Sequence, residues 1–253
     1  MNNENQLVKW IKSNLLRIII FDFDGTLLDI RDVLKNSILE VFEEFEIETD
    51  INLALKEIGS VLESIQGYPI PKIILQTHKI FKFIRSLEHI DFLRKLEIAT
   101  KIYTKYLEYE KSAPLFSGVK PLLEKLSKKF DLYIISHSQT KNLIRHLQEK
   151  SINKYFKGIF GVDKLPSLKP DPTAFEPVFN QYRRIDRNEF LIIGDMPTDI
   201  EAGQEAGIWT IGIASGISNK DLLFDCQPDL IIESIYELYD IFGLEKKKDI
   251  NNR

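Results

Sequence analysis

The sequence predicts an α/β fold, a mostly parallel sheet with helices on both faces and a helical subdomain inserted after the first strand. Three observations predict it. Short β-branched runs recur along the chain, helical spacings alternate with them from about residue 116 onward, and one glycine-poor block between the first and second runs carries helical rather than alternating spacing.

The first run, Leu15–Phe21, ends in Asp-Phe-Asp-Gly and reads as a buried parallel strand meeting a turn. Further strands are expected at Asp131–Ser136, Gly158–Val162, Phe190–Gly194 and Ile208–Ile213, with a shorter one at Leu230–Ile232. Helical spacing fills the gaps at Val119–Lys128, Thr140–Glu149, Thr173–Tyr182 and Asp199–Ala206. In the inserted block, assigned to residues 31–112, Val33, Leu34, Ile38, Val41, Phe42 and Phe45 share one helix face. Leu93, Leu96, Ile102, Tyr103, Tyr106 and Leu107 share another, and Gly67–Pro71 breaks the series. Residues 1–30 and 113–253 are assigned to the α/β core, with hinges near 28–31 and 112–118, and the charged tail from Glu245 is expected to be solvated.

Composition narrows the function classes. The 253 residues carry 34 Lys plus Arg against 38 Asp plus Glu, a formal charge of -4, so nothing advertises nucleic acid as a partner. The longest stretch without a charged residue, Ala206–Asn219, holds three glycines and falls short of the roughly 20 apolar residues of a membrane span. Residues 1–14 are mostly polar and do not read as a secretory signal, and the single cysteine, Cys226, fits a reducing compartment. The expectation is a cytoplasmic protein without a membrane partner. Nothing in the sequence bears on oligomeric state.

In an open α/β sheet, ligands bind beyond the carboxyl ends of the strands, so polar residues at those ends carry the most information. Asp22 and Asp24 follow the first strand two positions apart and can emerge on the same side. Ser136 and His137 end the second, Lys169-Pro170 lies in the loop after the third, and Gly194-Asp195 with Asp199 closes the fourth. Each alone has an ordinary structural explanation, such as a backbone-bonded serine, a solvated lysine or an acidic helix start. Their joint occurrence at successive strand ends is what points to chemistry, and the crowded carboxylates call for a hard cation.

Asp22-Phe-Asp-Gly-Thr-Leu-Leu, Ser136, Lys169-Pro170 and Gly194-Asp195-Met-Pro-Thr-Asp199 together resemble the four motifs of the haloacid dehalogenase superfamily, in order and in spacing. The helical insert, and Ala202-Gly203-Gln-Glu-Ala206-Gly207 further on, resemble its phosphoglycolate phosphatase and β-phosphoglucomutase branch. The resemblance implies a Rossmann-like, three-layer core with a helical cap, and a phosphatase acting on a small phosphorylated metabolite through an aspartyl-phosphate. It implies Asp22 as nucleophile and Asp24 as general acid and then base. Ser136 and Lys169, with backbone amides near Gly25-Thr26 and His137, are expected to bind the phosphate. Mg²⁺ is expected on Asp22, the Asp24 carbonyl and Asp195, with Asp199 behind them orienting Lys169 or a bound water.

Asp24 also separates this chain from the dehalogenase branch, which lacks the second aspartate, and from the phosphonate-cleaving branch, which carries a small residue there. His137 departs from the asparagine often found in this branch, and its imidazole either contacts phosphate or packs in the loop. A phosphotransferase of the β-phosphoglucomutase type would use the same residues, and a noncatalytic binding module on the same fold is the alternative from another class. Tyr68, Gln76, His78 and Arg85 are the polar cap residues that could face the cleft, although such residues more often face solvent, and Tyr103, Tyr106 and Tyr109 suit a helix packing surface. The leaving group stays open among glycolate, a sugar, a nucleoside and pyrophosphate.

Overall fold

The computed structural model describes residues 3–55, 57–58, 87–214 and 220–245. Its centre is a six-stranded sheet in the order β3-β2-β1-β4-β5-β6, with every pairing parallel. The strands are β1 (Ile18–Phe21), β2 (Asp131–Ile135), β3 (Phe156–Phe160), β4 (Phe190–Gly194), β5 (Trp209–Ile213) and β6 (Leu230–Ile232). β1 lies in the middle with Ile18 level with both Asp131 and Phe190, so the chain builds outward on one side and then crosses to the other. That reversal opens a crevice at the carboxyl end of β1.

The strands divide their side chains by alternation. Ile19, Phe21, Leu132, Ile134, Leu191 and Ile193 face one layer, and Ile18, Ile20, Tyr133, Ile135, Phe190 and Ile192 face the other. The first layer is closed by α1 (Asn3–Lys12) through Leu7 and Ile11, and by Leu122, Leu123 and Leu126 of α4 (Val119–Leu126). Leu143 and Leu147 of α5 (Thr140–Glu149) complete it. The second layer is closed by Phe175, Val178, Phe179 and Ala202. Burial of β1 and β4 on both faces is why these two runs read as continuously apolar, whereas the edge strand β3 keeps Lys157 exposed.

A third apolar cluster lies apart from the sheet. Leu34, Ile38, Val41 and Phe42 of α2 (Arg31–Glu44) meet Ile98 and Ile102 of α3 (Phe92–Tyr109), with Ala54, Ile58 and Leu87 alongside. The Asp91 side chain starts α3 by accepting from the amides of Leu93 and Arg94, both at 3.1 Å. This helical cap has its own small core, and Tyr106 touches both that core and the sheet's.

Four readings need correction. Leu93 is 75 % exposed and Tyr103 and Leu107 are also exposed, because α3 turns Ile98, Ile102 and Tyr106 toward its neighbours and leaves the flank of the stripe in water. The helix expected over Thr173–Tyr182 is a 3-10 turn, Pro172–Phe175, followed by the short α6 (Glu176–Phe179), since Pro172 and Pro177 each lack an amide donor. α1 was not foreseen as a structured element. β1 is shorter than the apolar run, with Leu15 exposed before it. Gly67–Pro71, Tyr68, Gln76, His78, Arg85 and the tail beyond Glu245 lie outside the described residues. No described helix is long and apolar enough to cross a membrane.

Candidate active site

The site is assembled at the carboxyl ends of β1, β2 and β4. The last ladder contact of β1 is the Asp22 amide donating to Ile193 O at 2.9 Å, after which the chain turns back on itself. Leu27 and Leu28 both donate to Phe23 O, and the Gly25 amide donates to Leu28 O, each at 2.9 Å. Phe23 is fully buried, so alternation turns Asp22 and Asp24 together toward the crevice. Gly25 sits at φ 82°, and a Cβ there would fall on the Asp195 carboxylate. Only glycine allows the turn to close against Asp195.

Lys169 is the fixed positive charge. Its Nζ donates to Asp22 Oδ1 at 2.8 Å and to Ile135 O at 3.1 Å, and it also donates to Asp199 Oδ1. Burial works against its charge, but Asp199 and Asp22 outweigh burial and raise its pKa. Asp199 Oδ2 accepts from the Met196 amide at 3.1 Å. Both oxygens of Asp199 are therefore engaged at the start of α7 (Pro197–Glu205). Gly194 makes room for this arrangement, since a Cβ there would overlap the Asp199 carboxylate.

Asp22, Asp24, Asp195 and Asp199 are all buried. Oxygens of Asp22, Asp195 and Asp199 lie within 4.8 Å of one another, a grouping able to hold a metal ion. Burial pushes Asp22 up to about 8 against the pull of Lys169, with Asp199 and Asp24 adding to the rise. Burial likewise pushes Asp24 up to about 6, opposed by a hydrogen bond from Ser138. A set of carboxylates this poorly compensated fits a bound cation. Because Asp199 is tied to Lys169 and Met196, the donors best suited to a metal are Asp22 and Asp195.

The remaining motif residues are placed as follows. Ser136 is buried at the end of β2, its amide on Phe160 O at 3.1 Å and its Oγ accepting from the Ser138 amide at 3.1 Å. Thr26 is buried and its hydroxyl donates to Asp195 Oδ1 at 2.9 Å. The Gly25 amide is spent on Leu28, which leaves it unavailable to a phosphate and makes the contribution of Gly25 conformational. His137 Nε2 is buried without a hydrogen-bond partner, and burial with the nearby Lys169 lowers its pKa to about 3, so the ring is neutral.

Sequence reasoning missed three neighbours of Asp24. Ser138 Oγ donates to Asp24 Oδ2 at 2.6 Å, a contact whose only sequence signal is its position two residues after Ser136. Glu110, at the end of the cap, is buried against His146 Nε2 at 2.7 Å, and both act electrostatically on Asp24. The Tyr106 phenol is raised well above 10 by burial first and then by Asp24, Glu110, Tyr103 and Asp195. Tyr106 thus combines the expected packing role with proximity to the site.

The model of the family described as haloacid dehalogenase-like hydrolase matches residues 19–213. The chain belongs to this family. The pyrophosphatase PpaX of Listeria welshimeri is 27% identical over 227 residues, covering 88% of this chain and 94% of that protein. The phosphoglycolate phosphatase of Vibrio parahaemolyticus is 22% identical over 231 residues, covering 90% and 97%. Among solved structures, the haloacid dehalogenase-type hydrolase YfnB of Bacillus subtilis superposes with a TM-score of 0.67 at 22% identity, covering 90% of this chain and 99% of that one. Fold, family and membership of a phosphatase-type hydrolase class agree with the reading of the sequence.

Proposed function

We propose that the protein is a magnesium-dependent phosphatase that hydrolyses a small phosphorylated metabolite through an aspartyl-phosphate on Asp22. The observation that carries this reading is the buried contact between Lys169 Nζ and Asp22 Oδ1, at 2.8 Å, with Asp24 two residues away on the same side of the turn. Lys169 holds the Asp22 carboxylate and lends positive charge to phosphoryl oxygens, as an in-line displacement requires. Asp24, raised to about 6, can carry a proton to the leaving oxygen and then accept one from water. The Ser136 hydroxyl and the neutral His137 ring are donors for phosphate oxygens.

The metal would be held by Asp22, Asp195 and the Asp24 carbonyl, with Asp199 fixing Lys169 behind them. When bound, magnesium supplies a hard positive charge that offsets both the phosphoryl oxygens and the crowded carboxylates. YfnB is described as bound to magnesium, with movement between its domains. We assign the cap to residues 31–112 and the core to 1–30 and 113–253, the cap excluding water during chemistry. The cytoplasm is the setting this reading favours, with Cys226 in no disulfide.

The relatives named for pyrophosphate and for phosphoglycolate make those two compounds the first substrates to try. The experiment is a panel of phosphorylated metabolites with magnesium, including pyrophosphate, 2-phosphoglycolate and hexose phosphates, read as inorganic phosphate released. Turnover on one or more members, abolished by chelation, supports the proposal. Isomerisation of a sugar phosphate without phosphate release would favour the mutase, and binding without turnover of any member would favour a noncatalytic module.

A further inference from the structure

We propose that Ser138 is a positioning residue that holds the Asp24 carboxyl in line for proton transfer to and from the leaving group. The inference rests on the reading of Asp24 as general acid and base. Ser138 Oγ donates to Asp24 Oδ2 at 2.6 Å, joining the loop after β2 to the turn after β1. A serine hydroxyl donates to Oδ2 both when the group is a carboxylate and when it is an acid carrying its proton on Oδ1, so it holds the same geometry in both protonation states. A residue that first gives a proton and then takes one needs that property. With Oδ2 anchored, Oδ1 is the oxygen presented to the reacting groups.

The loop delivers this hydroxyl from a rigid backbone. The Ser138 amide donates to Ser136 Oγ at 3.1 Å, and its carbonyl accepts from the Val162 amide at 3.0 Å. Two residues on, the Thr140 amide donates to Asp163 Oδ1 at 2.7 Å, and Thr140 Oγ1 accepts from the Gly161 amide at 3.0 Å. Gly161 lies so close that a Cβ there would overlap the Ser138 carbonyl. These contacts fix the Ser138 backbone and so the position of its Cβ, from which the hydroxyl reaches Asp24 in a single rotamer.

The test compares Ser138→Ala with the parent enzyme on two substrates, an alkyl phosphate whose leaving group needs a proton and 4-nitrophenyl phosphate, whose leaving group does not. Losing a hydrogen bond to a charged group predicts a fall in the phosphorylation rate of about tenfold to hundredfold for the alkyl substrate. The fall for the nitrophenyl substrate should stay below about threefold, with KM little changed for either. Ser138→Thr, which keeps a hydroxyl, should recover most of the alkyl rate. In an Asp24→Asn background, Ser138→Ala should add nothing further.

Equal losses on the two substrates, an undiminished effect in the Asp24→Asn background, or a threonine variant as slow as alanine would each overturn the proposal. If Asp24→Asn alone lacks leaving-group dependence, the assignment of Asp24 itself fails and the role of Ser138 falls with it. If Asp24→Asn shows the dependence and Ser138→Ala does not, only the role of Ser138 fails.

Discussion

Replacing Lys169 with methionine isolates the electrostatics of the site. Methionine fills nearly the same volume, so the cavity contribution is small and the loss is that of one charge. That charge is bonded to Asp22 and Asp199 and to Ile135 O, all in buried surroundings. Removing one partner of a buried ion pair costs about 3–5 kcal/mol because the other is left uncompensated. At about 2–4 °C per kcal/mol for a chain of this size, Lys169→Met should melt about 6–20 °C lower in excess chelator. The deficit should also depend on pH. Asp22 already lies up at about 8 with Lys169 opposing the rise, so without Lys169 it climbs further. A carboxyl whose folded pKa is raised contributes stability that is fully present below its unfolded value and is lost as pH rises through the folded value. Below about pH 8 both folded proteins hold Asp22 protonated, so the deficit should be nearly constant there and grow only as pH rises above about 8. Circular dichroism melts at three pH values check both statements. A drop under about 3 °C, or a deficit that does not grow above about pH 8, would refute the assignment of Lys169 as the main compensation for these carboxylates.

Three further outcomes are expected. The parent protein in chelator should lose stability as pH rises from about 5 to 9, because Asp24 and Asp22 titrate at about 6 and about 8 when folded, above their usual 3.8. Magnesium should flatten that curve, and melts at fixed ionic strength with and without the metal provide the check. Gly25→Ala, at φ 82° and against Asp195, should lower magnesium affinity by about tenfold or more, measured by titration calorimetry. Asp22→Asn should keep a melting temperature at or above that of the parent in chelator, most clearly above about pH 8 where burial makes the ionised Asp22 costly, while turnover falls to background because the attacking carboxylate is gone.

The middle of the sheet was legible because its strands β1 and β4 are buried on both faces. Ile18–Phe21 and Phe190–Gly194 announce themselves as apolar runs, and both end in carboxylates. Strand ends were less legible. β3 begins at Phe156 rather than Gly158, where the pairing shifts between Leu132 and Tyr133. Periodicity located α3 but not which flank of it is covered, since that depends on where α2 lies rather than on α3 itself. In the site, the residues with a compact local pattern were found, from Asp22 to Thr26 and from Gly194 to Asp199. Ser138 and the Glu110 to His146 pair were missed because their partners are far along the chain, and a single serine, glutamate or histidine carries no spacing signal. Tyr106 read as packing for the same reason, its neighbours Asp24 and Asp195 being set by the tertiary fold.

The stereochemical course at phosphorus tests the central claim most directly. A substrate whose transferred phosphoryl group is made chiral with oxygen isotopes and sulfur is hydrolysed in labelled water, and the configuration of the released thiophosphate is determined. Attack by Asp22 followed by attack of water is two in-line displacements, and the account predicts net retention. Net inversion would mean that water attacks the substrate directly and would contradict it.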